Sequence, residues 1–311
     1  MFMPDESVQN HLDQNQRNDF ISANMPLLAL LQRCGEHLGA VLSGREDPRA
    51  VLFPDGNLDA VGRVYQDTPQ SRYYNEVMAA ALKGLVDALP LDSRLSVLEI
   101  GAGTGGSTGA LLPLLPGDRC RYVFTDMSPL FFARARDVFG AYPFVEYKIL
   151  DISRDTASQG FSAGEFDVIV CANVLHATSD LMAALRNLRV LLAGEGLLLL
   201  REITLPRPAL GFDISFGCLL EPLSDTAFRH DNPFLTPQAW STALQEAGFA
   251  QVACYPDSAD TAFDEHIILG RNAAGGRRTA FSERCAVAAG TAPPVAQDRK
   301  STRLNSSHGR R

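Results

Sequence analysis

His176 and Glu202 are the two residues best suited to moving a proton. His176 stands in NVLHAT, and Glu202 follows the apolar run GLLLL, 26 positions later. Each lies just past a run of the kind that forms a buried parallel strand. If those strands are neighbours, about 4.8 Å apart, a carboxylate at one tip reaches an imidazole at the next. Glu202 would then orient His176, stabilise its protonated form and leave the second ring nitrogen to take a proton. Plainer roles stay open: a histidine at a strand end is often structural, and Glu202 could pair with Arg201 or Arg207.

A second constellation lies in VLEIGAGTGGST, residues 97–108. Gly101, Gly103, Gly105 and Gly106 let the backbone turn tightly and bring bare N–H groups near a ligand. Glu99 sits inside the apolar run, where a carboxylate is costly unless something needs it, and a cationic ligand beside the loop would supply that need. Asp126 ends YVFTD, placed for the two hydroxyls of a ribose. Asp151 ends EYKILD, suited to an adenine amino group, with Ile152 able to pack on the ring. Asn173 closes the fourth run, and Tyr73, Tyr74 and Asn75 could close over a ligand. The competing roles are a helix cap for Asp126 before Pro129, turn or loop caps for Asp151 and Asn173, and core packing for the tyrosines. Gly101, Gly103 and Gly106 also spell G-x-G-x-x-G, with Asp126 about twenty residues on, as dinucleotide sites require. Glu99 in the strand, the second acid at Asp151 and the lack of a Tyr-x-x-x-Lys pair argue against a nicotinamide oxidoreductase. Acids at three successive strand ends suit a nucleoside bearing a sulfonium, S-adenosylmethionine.

The elements that must position these residues follow from periodicity. Residues 25–44, 57–66 and 69–89 read as helices, so 1–92 is a helical region ahead of the glycine loop. Strand-like runs at 95–100, 121–125, 145–150, 166–172 and 196–202 alternate with helical patterns at 106–115, 129–139 and 180–192. That alternation predicts an α/β fold with a parallel sheet covered on both faces. A Pro/Phe-rich segment then runs to 235, followed by a helix at 237–247 and strands near 250–255 and 264–270 that could pair antiparallel.

Composition bounds the rest. The formal charge of −8 over 311 residues speaks against nucleic acid as a partner. The apolar runs are strand-sized, too short for a membrane span, and the acidic, polar start is neither a signal peptide nor an anchor. Six scattered cysteines favour reduced thiols and a cytoplasmic setting. His11, His37, His230 and His266 have no ligand spacing, so no metal site is expected. Residues 272–311 lack periodicity and carry eight basic against two acidic residues, which leaves −14 on residues 1–271. The run DRKSTRLNSSH resembles a cloning scar; a natural basic tail is the other reading.

The phrases VLEIGAGTGGST, FTDMSPLFFARA, ANVLHAT and LRNLRVLLAGEGLLLLREIT resemble a class I S-adenosylmethionine-dependent methyltransferase. With LLQRCGEHLGAVLSGREDP, VLFPDG, YQDTPQSRYYN and FGCLLEP, the resemblance narrows to the methyltransferase domains of modular polyketide synthases, over residues 25–270. It implies a Rossmann-like sheet of seven strands, mostly parallel with the last antiparallel. It also implies a helical lid over 1–92, a cofactor-binding core over 93–271 with a substrate-channel insertion near 203–236, and a tail from 272. The implied cofactor contacts are Glu99, Gly101, Ala102, Gly103, Thr104, Gly105, Asp126, Met127, Asp151, Ile152, Asn173 and Tyr74. His176 and Glu202 would form a catalytic pair. The implied reaction is C-methylation of a β-ketoacyl thioester on the phosphopantetheine arm of an acyl carrier protein, with other synthase domains as partners. One feature departs from the family: carbon-methylating members carry Gly-Trp-Trp after the FGL-like phrase, whereas here FGCLLEPLSDTAFRHDNPFL stands and the only tryptophan is Trp240. O-methylation of a β-hydroxyl or enol is therefore the alternative. An inactive scaffold domain is the remote one, which the intact loop, Asp126 and His176 oppose.

Overall fold

The computed structural model describes residues 14–90, 93–204, 217–218, 222–230, 232–257 and 264–273. Among the described residues five α-helices come first: α1 (Gln14–Ala23), α2 (Met25–Leu42), α3 (Pro48–Leu52), α4 (Asp59–Asp67) and α5 (Pro69–Asp87). The sequence did not announce α1, which buries no residue and so has no apolar stripe to read. Leu30, Cys34 and Val41 of α2 pack on Val51, Leu52, Val61 and Val64 of the next two helices, a small core of their own. Thr68 starts α5: its hydroxyl accepts from the Ser71 N–H, and Pro69 sits where its missing N–H costs nothing.

Strands β1 (Leu95–Ile100), β2 (Cys120–Asp126), β3 (Val145–Ile149), β4 (Phe166–Ala172) and β5 (Leu192–Ile203) alternate with α6 (Gly106–Leu111), α7 (Phe132–Phe139) and α8 (Leu181–Leu191). After them come α9 (Thr226–Arg229), α10 (Pro237–Glu246), β6 (Phe249–Tyr255) and β7 (Glu265–Asn272). The seven strands form one sheet in the order β3-β2-β1-β4-β5-β7-β6. β1 to β5 are parallel, while β7 runs antiparallel to both β5 and β6. The two late strands thus pair as their short separation predicts, and the Rossmann-like sheet with an antiparallel seventh strand is present.

Strand pleating sends successive side chains to opposite faces. Val97, Val168, Val170, Leu197 and Leu199 pack against Tyr74, Met78 and Leu82 of α5. Leu98, Ile100, Ile169, Cys171, Leu198 and Leu200 pack against α8 and α10, around Leu185, Leu188 and Trp240. Both faces are covered, so the strands read as continuous apolar runs.

β7 reaches Asn272, the first residue of the stretch read as a tail. Its side-chain amide donates to the Leu192 and Ala193 carbonyls at 3.2 and 3.1 Å, which binds it into the sheet. Residues 274–311 and, within the expected channel insertion, residues 205–216, 219–221 and 231 lie outside the described residues. No helix among the described residues is long and apolar enough to cross a membrane.

Candidate active site

β1 runs into the glycine turn, where Gly101, Gly103 and Gly105 all take positive φ. At Gly105, φ is 79° and a Cβ would fall 2.7 Å from the Phe139 ring, so glycine is required twice over. At Gly106 a Cβ would meet the Tyr65 carbonyl oxygen at 2.9 Å. The helical region therefore lies directly on the loop.

Asp126, at the tip of β2, closes this turn from the side. Its carboxylate accepts from the Gly103 N–H at 3.1 Å and the Ser128 N–H at 2.9 Å. Burial raises its pKa, and the backbone N–H donors oppose the rise. Glu99 is buried, and accepts from the Thr108 hydroxyl at 2.5 Å and the Tyr122 hydroxyl at 2.6 Å. Burial pushes its pKa up to about 7 against those two hydrogen bonds. Two neutral donors inside the fold thus meet part of the need that the sequence assigned to a cationic ligand.

A cavity of about 160 Å³ lies between the loop and the helical region. Its wall includes Gly103 and Thr104 of the loop, Phe53 and Tyr65 of the helical region, and Asn173 and Arg201 from the strand ends. Of the expected cofactor contacts, Glu99, Gly101, Ala102, Gly103, Thr104 and Asn173 line it, whereas Gly105, Asp126, Met127, Asp151, Ile152 and Tyr74 do not. Met127 is 68% exposed. The Asp151 carboxylate accepts from the Ser153 N–H at 2.9 Å and lies 3.0 Å from Arg154 Nε, a turn-capping arrangement. Ile152 is buried in the core on the α8 side. Tyr74 takes the core role: its hydroxyl donates to the Glu265 carbonyl at 2.6 Å and its ring faces the Arg201 guanidinium at 5.1 Å.

Asn173 sits where β4 ends, in a left-handed conformation at φ 55°. Its N–H donates to the Arg201 carbonyl at 2.7 Å and its Nδ2 to Glu265 at 3.2 Å. Its Oδ1 is buried without a partner among the described residues. Arg201 donates to both Glu265 oxygens, at 2.5 and 3.1 Å, and to Asn75 Oδ1 at 3.1 Å. Burial alone would raise the Glu265 pKa, but the Arg201 guanidinium holds it below the usual carboxylate range. This buried network joins α5 to β5 and β7, and the sequence reading missed it. A signal was present: Arg201 is a charge inside LLLLREI, as anomalous there as Glu99 in its own strand. The contributions of Phe53 and Tyr65 had no local signal at all.

The expected proton-moving pair does meet. β4 and β5 are paired in parallel with Ala172 opposite Arg201, so Glu202 falls beside the turn that leaves β4. Glu202 Oε2 lies 2.6 Å from His176 Nδ1. Its Oε1 accepts from the Leu175 and Val174 N–H groups at 2.8 and 3.2 Å. The Glu202 side chain is 0% exposed and that of His176 13%. With Nδ1 committed to the carboxylate, Nε2 is the nitrogen left for chemistry. The His176 ring stands 5.1 Å from that of Phe234.

A family profile described as a methyltransferase domain matches residues 98–198, from β1 to the middle of β5. The solved structure of the CurJ carbon methyltransferase is similar over 88% of this chain and 72% of its own, with 35% identity and a TM-score of 0.78. The chain belongs to the S-adenosylmethionine-dependent methyltransferases of the polyketide synthase type. Two further members of this family are informative. The polyketide synthase ThaG of Burkholderia thailandensis is 36% identical over 232 residues, 72% of this chain but 4% of the synthase. The trans-methyltransferase CalH, solved in complex with S-adenosylhomocysteine, is 33% identical, with a TM-score of 0.65, over 81% of this chain and 69% of its own. The chain thus spans a small fraction of the synthase it matches and about two thirds to three quarters of the solved methyltransferases.

S-adenosylmethionine is the methyl donor of this family, and the site fits it. An open glycine turn, a buried carboxylate at the next strand tip and a cavity wall with an acceptor lacking a donor suit a nucleoside that carries hydroxyls and an ammonium.

Proposed function

We propose that this protein transfers a methyl group from S-adenosylmethionine to the α-carbon of a β-ketoacyl thioester held on the phosphopantetheine arm of an acyl carrier protein. The reading rests on the contact of 2.6 Å between His176 and the fully buried Glu202. The likeness to the CurJ carbon methyltransferase supports carbon as the acceptor. Association with other polyketide synthase domains is part of the same reading, supported by the match to a segment of ThaG.

Asp126 would hold the ribose hydroxyls, the glycine turn would pass beneath the nucleoside, and Asn173 Oδ1 would accept from the amino acid end of the donor. Asp151 would stand toward the adenine from the turn that it caps. When bound, S-adenosylmethionine supplies a methyl group on a sulfonium, an electrophile that needs no further activation. The remaining task is to make the carbon nucleophilic. His176 Nε2 takes the α-proton, and the thioester and ketone carbonyls delocalise the electron pair as an enolate. Glu202 holds the ring and stabilises the imidazolium that forms.

Mass spectrometry of carrier-bound β-keto and β-hydroxy acyl chains, incubated with enzyme and donor, tests this. The β-keto chain is expected to gain one methyl group, located on the α-carbon by fragmentation. A methyl group found on oxygen would replace the reading with O-methylation. His176→Ala is expected to bind S-adenosylhomocysteine yet transfer no methyl group, and normal transfer would remove His176 from the mechanism.

A further inference from the structure

The turn that carries His176 is gripped from two sides, and Glu202 supplies only one of them. On the other side is Arg229, the last residue of α9, whose side chain is fully buried. Its Nη1 donates to the His176 carbonyl at 3.1 Å, and its Nη2 to the Thr178 and Ser179 carbonyls at 2.5 and 2.9 Å. Its Nε donates to both carboxylate oxygens of Asp225, at 2.8 and 2.9 Å. Asp225 also accepts from the Leu181 N–H at 2.9 Å, at the first turn of α8. Ser224 adds a backbone N–H to the Ser179 carbonyl at 2.9 Å.

A guanidinium is a rigid plane of five donors. Here that plane is matched to three carbonyls of a single short turn and to one carboxylate. A buried ion pair gains little stability over a well-packed apolar pair, so the arrangement is better understood through the geometry it enforces. Glu202 fixes the His176 ring at Nδ1, whereas Arg229 fixes the same residue at its main-chain oxygen. With both ends held, the direction of Nε2 is set.

We propose that Arg229, braced by Asp225, is a positioning residue for methyl transfer. It locks the 175–179 turn so that His176 meets Glu202 and the acyl α-carbon together. This rests on His176 being the base. The residues that bear the lock, 224–229, come from the segment between β5 and α10. That segment therefore takes part in setting the base, besides any role along the acyl chain.

The test compares Arg229→Met, Arg229→Lys, Asp225→Asn and His176→Ala in the full chain. The readouts are kcat and KM for the carrier-bound β-keto chain, and calorimetric binding of S-adenosylhomocysteine. Arg229→Met should lower kcat roughly ten- to hundredfold, the scale of a misplaced catalytic group, with KM and S-adenosylhomocysteine affinity unchanged. Arg229→Lys, which keeps the charge but not the fork, should recover part of kcat. If Arg229→Met does not fold, Asp225→Asn should show the same split. Wild-type kcat in the Arg229 variants beside an inactive His176→Ala would overturn the lock alone. Parallel loss of kcat and S-adenosylhomocysteine affinity would also overturn it, as a purely structural role. Normal transfer by His176→Ala would overturn the base, and the lock with it.

Discussion

Glu202→Gln tests the proposed catalytic pair with the least disturbance of the fold. Glutamine fills the same volume, and its amide oxygen still accepts from the Leu175 and Val174 N–H groups that Glu202 Oε1 serves at 2.8 and 3.2 Å. What changes is the contact of 2.6 Å to His176 Nδ1. The amide NH2 now donates toward Nδ1, which leaves the imidazole proton on Nε2, the nitrogen that has to be empty. The lost interaction is a charge-assisted hydrogen bond at a fully buried carboxylate, worth about 1.5–3 kcal/mol. At about 1.4 kcal/mol per factor of ten in rate, that is roughly a 10- to 100-fold fall in kcat before the tautomer is counted. Turnover would be followed by mass spectrometry at saturating donor and acceptor, alongside calorimetry with S-adenosylhomocysteine, whose affinity should not change. In a double-mutant cycle, Glu202→Gln added to His176→Ala should cost nothing further, because the two residues act as one unit. A Glu202→Gln enzyme at wild-type kcat, or full additivity in that cycle, would refute the pairing as the source of the proton transfer.

Three further outcomes follow from the geometry. Glu99 has its pKa pushed up to about 7 by burial, so the folded chain keeps a proton that the unfolded chain releases. Stability should therefore fall as pH rises from about 4.5 to about 7, by about 3 kcal/mol, and urea titrations of Glu99→Gln should lose that dependence. Asp126→Asn should weaken S-adenosylhomocysteine binding roughly tenfold or more, the scale of a hydrogen bond to a charged acceptor, with a smaller effect on kcat at saturating donor; unchanged affinity in calorimetry would place the ribose elsewhere. Arg201→Met strands Glu265 as a buried charge, which should cost about 3–5 kcal/mol and lower the thermal midpoint by roughly 10 °C; an unchanged midpoint would mean that Glu265 finds another partner.

Much of this architecture was legible because apolar periodicity and glycine chemistry are local. β1 and β4 run over the predicted 95–100 and 166–172. The glycine turn, with Asp126 at the next strand tip, is marked by residue types that have few other uses there. Asp151 and Tyr74 were less legible. A carboxylate at a strand end caps a turn as readily as it binds an amino group, and an aromatic on a helix packs in a core as readily as it lines a cleft. The sequence offered both roles in each case, and the contacts of Ser153, Arg154 and Glu265 are of the kind the plainer ones require.

By itself the chain determined that strands and helices alternate, that a nucleoside-type turn follows β1, and that a histidine and a glutamate stand at consecutive strand tips. Which charges pair was settled only by tertiary structure. Arg201 and Glu202 are adjacent in the sequence, and a pairing between them was open on the residues alone. Pleating sends the two side chains to opposite faces of the sheet. Arg201 turns toward α5 and meets Glu265, carried there by an antiparallel β7 that no local pattern places next to β5. Glu202 turns toward the α8 face and meets His176. The reason is that local propensity fixes which face a side chain occupies, while the partner on that face depends on which distant strand lies alongside.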